Sequence, residues 1–296
     1  ICAAYNQPCE RQKSAQCSHK VTSERKKSTL VEIGAGPDNG IDLVAGGLAL
    51  AGLDRPQVAL DYYTEHLSNL ADAARALVQP GDSSAQSCAG ILQEVIAEKN
   101  RYGGDRLTYD DLQNANLMRV IDRRRGLPIA LGILYIHIGR MMGWNMRGLA
   151  FPGHFLIQLD SDGERVIIDP FNGGQQRSAS DLRELIKTMT GSYKELKPTD
   201  YAPVSDREIL LRLQNNIKFR HMQMRDANGA LRTINTMLLF APDVKLLWWE
   251  SGALNLELGN LQAAAKALDE YLIREDDKGQ KLQAATLIQK LRKQLN

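Results

Sequence analysis

The chain has 296 residues, of which 43% are hydrophobic and 24% charged, and a formal net charge of +2. That composition excludes a collagen-like, disulfide-scaffold or wholly disordered chain and fits a soluble globular protein of roughly two domains. So weak a positive balance gives no reason to expect nucleic acid or an anionic membrane as partner.

The charge is unevenly spread. Residues 1–30 hold six Lys/Arg against two Glu, which leaves 31 Lys/Arg against 33 Asp/Glu in the rest. The opening segment is polar and lacks apolar periodicity, so residues 1–40 are expected to form a disordered basic tail, with order beginning near Ile41. Cys2, Cys9 and Cys17 lie in it, and Cys88 alone lies beyond it. One body cysteine builds no disulfide framework, which predicts a reducing, cytoplasmic setting. Cys9, Cys17 and His19 lack the second closely spaced pair of a zinc site, and no metal or cofactor is expected. The apolar stretch 43–53 is far shorter than the ~20 residues a membrane span needs, and the tail has no apolar run of a secretory signal.

In chain order, 41–52 reads as a short apolar helix. Leu60, Tyr63, Leu67, Leu70, Ala74 and Leu77 alternate steps of three and four, one face of a helix that begins near Pro56 and stops at Pro80-Gly81. Ser83 or Ser84 caps a third helix with Cys88, Ile91, Leu92, Val95 and Ile96 buried. Residues 114–126 form a helix ending at glycine. Pro128 suits the first position of the strongly apolar helix 129–142, where a missing N–H costs nothing. His137 lies inside it and reads as a core or interface residue. Strand-like runs follow at Met146–Phe151, Phe155–Leu159 and Arg165–Ile168, the last two joined by the hairpin signal Asp162-Gly163. Ser180-Asp181 opens one more helix. Helices followed by a small antiparallel sheet define an α+β domain over residues 41–190.

Residues 191–205 read as a linker. Beyond it, over 206–296, the pattern repeats every 34 residues: Ala230 matches Ala264, Ile234 matches Leu268, and Leu238 matches Leu272. Gly252 and Ala264 fall where a tetratricopeptide helix pair needs small residues, and Trp248 where it needs an aromatic. Two pairs and a closing helix, 281–295, are too few to stand alone, so this array should pack on the α+β domain. Its candidate groove residues are Arg212, Asn215, Lys218, His221, Trp248, Glu250 and Asn255, which suit a protein or peptide partner.

Chemistry concentrates between residues 123 and 174. His154 heads one strand and Asp169 ends the next, so the hairpin can bring them within hydrogen-bond reach, as the supporting half of a nucleophilic triad. Arg123, Arg124 and Arg125 near a helix end are candidate anion ligands. Asn172 lies in a Gly-rich turn beside the pair.

Leu117, Arg119-Val120-Ile121, the run RRRGLP, Pro152-Gly153-His154-Phe155 and Ile168-Asp169-Pro170-Phe171-Asn172-Gly173-Gly174 together resemble the transglutaminase-like (papain-type) superfamily. More closely, they resemble the bacterial SirB family, in which such a domain is joined to tetratricopeptide repeats. The resemblance implies a catalytic triad whose nucleophile falls at Pro128. Proline has no nucleophilic atom, and Leu127, Ile129 and Ala130 supply none. His154 and Asp169 are then a triad remnant, and a non-catalytic interaction or regulatory protein is the first expectation. The alternative is a hydrolase or acyl transferase with an unrecognised nucleophile or water.

Overall fold

The computed structural model describes residues 23–81, 83–191 and 195–295. Cys2, Cys9, Cys17 and His19 lie outside the described residues. Residues 23–35 form helix α1, although they belong to the segment expected to be disordered. Its apolar positions are too few to show a period, and its order comes from distant contacts. Leu30 is fully buried, Lys26 Nζ donates to the Gly52 carbonyl at 3.1 Å, and Arg207 ion-pairs with Asp38 in the following loop at 2.6 Å.

The α+β region then runs α2 (Leu43–Asp54), α3 (Asp61–Arg75) and α4 (Ala85–Leu92), the last continued by a π-helical turn, Gln93–Lys99. Asp42 caps α2 and Ser84 caps α4 through its side chain. The predicted helix 114–126 is instead a 3-10 turn, Leu112–Ala115, and α5 (Leu117–Arg123). Asn116 caps α5 through its side chain, and Arg124, at φ 57°, ends it in the left-handed conformation. The chain leaves as a two-residue strand, β2 (Arg125–Gly126), parallel to β1 (Gly103–Gly104). Helix α6 (Pro128–Met141) follows with proline in its first turn and a face buried almost all round.

The sheet has five antiparallel strands in the order β6 (Gln175–Arg177), β5 (Glu164–Asp169), β4 (Leu156–Ser161), β3 (Asn145–Leu149), β7 (Pro203–Val204). The hairpin at Asp162-Gly163 has positive φ at both residues, 50° and 78°, as a two-residue turn between twisted strands requires. The edge strands β6 and β7 are two or three residues long, too short to show alternation. Helix α7 (Ala179–Thr190) is capped by Ser178, two residues before the predicted start, in a reciprocal pair with Asp181. The stretch predicted as a linker supplies β7, so it is partly an edge of the sheet.

Helices α8 (Asp206–Gln223), α9 (Ala227–Phe240), α10 (Lys245–Glu257), α11 (Leu261–Arg274) and α12 (Lys278–Leu295) complete the chain. Ala230, Ile234, Ala264 and Leu268 are all buried, as the 34-residue period requires. A Cβ on Gly252 would stand 2.8 Å from Leu268, so this position must stay small for α10 and α11 to approach. Ile209, Leu210 and Leu213 of α8 join α2, α6 and β3 in one continuous core, and the array is thereby docked on the α+β region.

Candidate functional site

Local packing sets the His154 turn. A Cβ on Gly132 of α6 would lie 2.4 Å from the Phe155 ring, so glycine there lets Phe155 settle directly on the helix and fixes the turn before β4. The Leu127 N–H donates to the Asn114 carbonyl at 2.9 Å, which anchors the start of α6 and with it Pro128. On the other side, the Gly104 N–H donates to the Phe171 carbonyl at 3.0 Å, and the Phe171 ring lies where a Gly104 Cβ would be.

His154 Nε2 and Asp169 Oδ1 are 2.9 Å apart, with the two side chains 5% and 0% exposed. Asp169 also accepts from Asn172 Nδ2 at 2.8 Å and from Arg177 Nη2 and Nε at 2.8 and 3.1 Å. Burial by itself would raise the Asp169 carboxyl, but the His154 bond and charge, with Asn172 and Arg177, hold it down at about 2. The carboxylate is therefore ionised at neutral pH and fixes the imidazole by Nε2. Nδ1 makes no hydrogen bond to another described residue. Beneath the pair, the Tyr135 hydroxyl is buried without a hydrogen-bond partner among the described residues, against the Gly174 turn. Burial, then the charges of Asp169 and Glu98, push this phenol above its usual range.

His154 lines a cleft of about 400 Å³ with Pro128, Phe151 and Tyr109, closed on its far side by Asn215 and Phe219 of α8. Pro128 and His154 thus line the same cleft. Cys88, on α4, is buried and does not line it. Arg220 of α8 donates to the Asp110 and Tyr109 carbonyls at 2.8 and 2.9 Å, so the helical array positions the Tyr109 loop as well. Sequence reasoning missed Tyr109 and Arg177: the first sits in an irregular loop and the second on a strand of three residues.

The remaining candidates are dispersed. Arg123 pairs with Asp105 at 2.7 Å, Arg124 stacks on the Tyr102 ring at 4.6 Å, and the Arg125 guanidinium lies against Gly103 of β1, so the three do not converge as one anion site. Nor do the groove candidates share one surface. Arg212 and Asn215 reach the His154 cleft; Lys218 is spent on Glu250 at 2.6 Å; His221 pairs with Asp226 at 2.9 Å. Trp248 Nε1 donates to the Pro242 carbonyl at 2.7 Å, and Asn255 is buried, donating to the Ser251 carbonyl. His137 is half-buried, 3.8 Å from Asp42, in a different cavity of about 830 Å³. Among the described residues no cluster of His, Cys, Asp or Glu is arranged to hold a metal, and no helix is long and apolar enough to cross a membrane.

A central apolar helix, a short antiparallel sheet and a His–Asp pair facing the helix start define a papain-type domain, here continued by tetratricopeptide helix pairs. Residues 61–215 match the transglutaminase-like superfamily, and residues 217–296 match the tetratricopeptide repeat. The chain is 32% identical over 205 residues to a UPF0162 protein of Vibrio cholerae, covering 69% of this chain and 75% of that one. It is 28% identical over 241 residues to a UPF0162 protein of Xylella fastidiosa, covering 79% and 84%. Protein SirB1 of Salmonella typhimurium is 26% identical over 128 residues, 43% of this chain and 47% of that one. The chain belongs to the transglutaminase-like superfamily, among the UPF0162 and SirB-type proteins. Tetratricopeptide repeats generally mediate contacts between proteins.

Proposed function

We propose that this chain is a non-catalytic interaction module in which the former triad cleft binds a segment of a partner protein. The observation that carries this reading is Pro128, which stands in the cleft opposite His154 where thiol chemistry would need a cysteine. The cleft walls suit a peptide: exposed Phe219 and Tyr109 offer apolar contact, while Asn215 and Asn216 can hydrogen-bond its backbone. Because α8 forms one wall, the cleft exists only where the two regions are joined. The experiment is affinity capture with the wild-type chain and with Asn215→Ala/Phe219→Ala. The double variant is expected to keep its thermal midpoint and lose the specific partners. Full retention of every partner by the folded variant would sink the proposal.

The intact His154–Asp169 pair supports a second reading. An imidazole held by an ionised carboxylate, with its other nitrogen making no hydrogen bond among the described residues, is a general-base arrangement that could act on water. Ester or amide turnover by the purified chain that survives Cys88→Ser and disappears with His154→Gln would favour a hydrolase or acyl transferase.

A further inference from the structure

A second cleft, about 460 Å³, opens on the other side of Phe171. Arg101, Arg106 and Arg125 line it together with the backbone of Gly103, Gly104 and Gly173, and no Asp or Glu does. Some other arginines of the α+β region are ion-paired, Arg55 with Asp122, Arg123 with Asp105, Arg140 with Asp206, Arg165 with Asp160 and Arg177 with Asp169. The three around this cleft carry no such ion pair among the described residues. Arg101 and Arg106 flank β1 and Arg125 lies on β2, so the pairing of these two strands brings the third to the first two.

The cleft is built rather than incidental. A Cβ on Gly103 would stand 2.9 Å from the Arg125 guanidinium, so glycine lets that group lie against the β1 backbone. Arg106 sits over the Phe171 ring at 5.9 Å and donates to Asn172 Oδ1. Asn172 in turn donates to Asp169, which holds His154. Phe171 meets His154 edge-on at 6.1 Å and Tyr109 at 5.8 Å, and both of those rings line the first cleft. Phe171 therefore lines the arginine cleft and packs against two rings, His154 and Tyr109, that line the first.

We propose that this arginine cleft is an anion subsite for an acidic peptide segment, one that continues past Phe171 from the part held in the His154 cleft. The inference rests on the reading of the His154 cleft as a peptide site. Three guanidinium groups without an ion pair among the described residues, each able to fork onto a carboxylate, supply the charge complement, and Phe171, in contact with His154 and Tyr109 of the first cleft, supplies the continuity that a small free anion would not need.

The test is binding of fluorescein-labelled hexaglutamate to the full chain by anisotropy at low salt, with hexalysine and inorganic phosphate as competitors. Saturable binding is expected, weakened at least about tenfold by Arg101→Gln/Arg125→Gln and lost with rising salt. Lys281→Gln/Lys290→Gln, which removes the same charge from exposed positions on α12, should bind as wild type. Equal binding by the arginine variant and wild type overturns the proposal, and so does phosphate displacing the peptide at equal concentration. Failure of the cleft reading is separable. If hexaglutamate still depends on the arginines while the capture experiment shows no effect of Asn215→Ala/Phe219→Ala, the anion subsite stands and only its continuity with the His154 cleft falls.

Discussion

Asp206, at the start of α8, takes Arg140 of α6 in a two-pronged bond of 2.8 and 3.1 Å. The same carboxylate accepts the backbone N–H groups of Gly40 and Ile41 at 2.8 and 3.1 Å. One 3% exposed side chain thus joins the helical array, the central helix and the loop that precedes α2. Asp206→Ala would leave two amides and a guanidinium unsatisfied at a mostly buried junction. A loss of about 2–4 kcal/mol in urea unfolding is expected. A loss below about 1 kcal/mol would show that the apolar contacts of α8 hold the junction without it.

A thiol placed at the helix start should be activated. Pro128→Cys removes a residue whose missing N–H was not needed and puts sulfur at a helix N-terminus in the His154 cleft. Iodoacetamide is expected to modify that position at least about tenfold faster at neutral pH than it modifies Cys88, which is 1% exposed. Adding His154→Gln should remove most of the excess rate. An unchanged rate would mean that His154 does not face position 128.

The Asp169 carboxyl sits at about 2 in the folded chain against an ordinary value of 3.8. A depressed carboxyl stabilises the fold fully above its unfolded value and stops doing so as pH falls through its folded one. The expected contribution is about 2 kcal/mol, present above about pH 4 and lost towards pH 2. Asp169→Asn should be less stable than wild type at neutral pH and should lack this part of the acid slope. Parallel stability curves for the two proteins between pH 2 and 5 would refute it.

Gly104 lies beneath Phe171, whose ring would be 2.4 Å from an added Cβ. Gly104→Ala is expected to cost about 1–3 kcal/mol because the ring is wedged between β1 and the His154 and Tyr109 rings. The displaced ring should also shift the His154 resonances in an imidazole NMR spectrum. A variant as stable as wild type with unmoved His154 signals would contradict this packing.

Lys218 stands 34 residues before Gly252, and it reaches Glu250 of the second repeat at 2.6 Å. Both groups are largely covered, at 11% and 25% exposure. A double-mutant cycle with Lys218→Ala and Glu250→Ala should return a coupling of about 0.5–2 kcal/mol. A coupling of zero would make this pair incidental to the joining of the two repeats.

Local sequence settled what local physics settles. The alternation of threes and fours placed the buried faces of α3 and α4, Pro128 marked the start of α6, and Asp162-Gly163 made the hairpin because only that turn matches the twist of β4 and β5. Those same local rules put His154 and Asp169 at adjoining strand ends, so their contact was legible before any coordinates. The 34-residue period placed Ala230, Ile234, Ala264 and Leu268 in the core, while the matched Leu238 and Leu272 are only partly buried. Tertiary structure alone decided the rest. Helix α1 carries too little apolar pattern to announce itself and is ordered by Leu30, Lys26 and Arg207 reaching distant partners. Strands β6 and β7 are too short to alternate, yet β6 delivers Arg177 to Asp169. Three neighbouring arginines, 123 to 125, diverge because a left-handed residue and a two-residue strand turn them apart. Arg101, Arg106 and Arg125 converge because β1 pairs with β2, a contact between segments more than twenty residues apart that no short-range periodicity records.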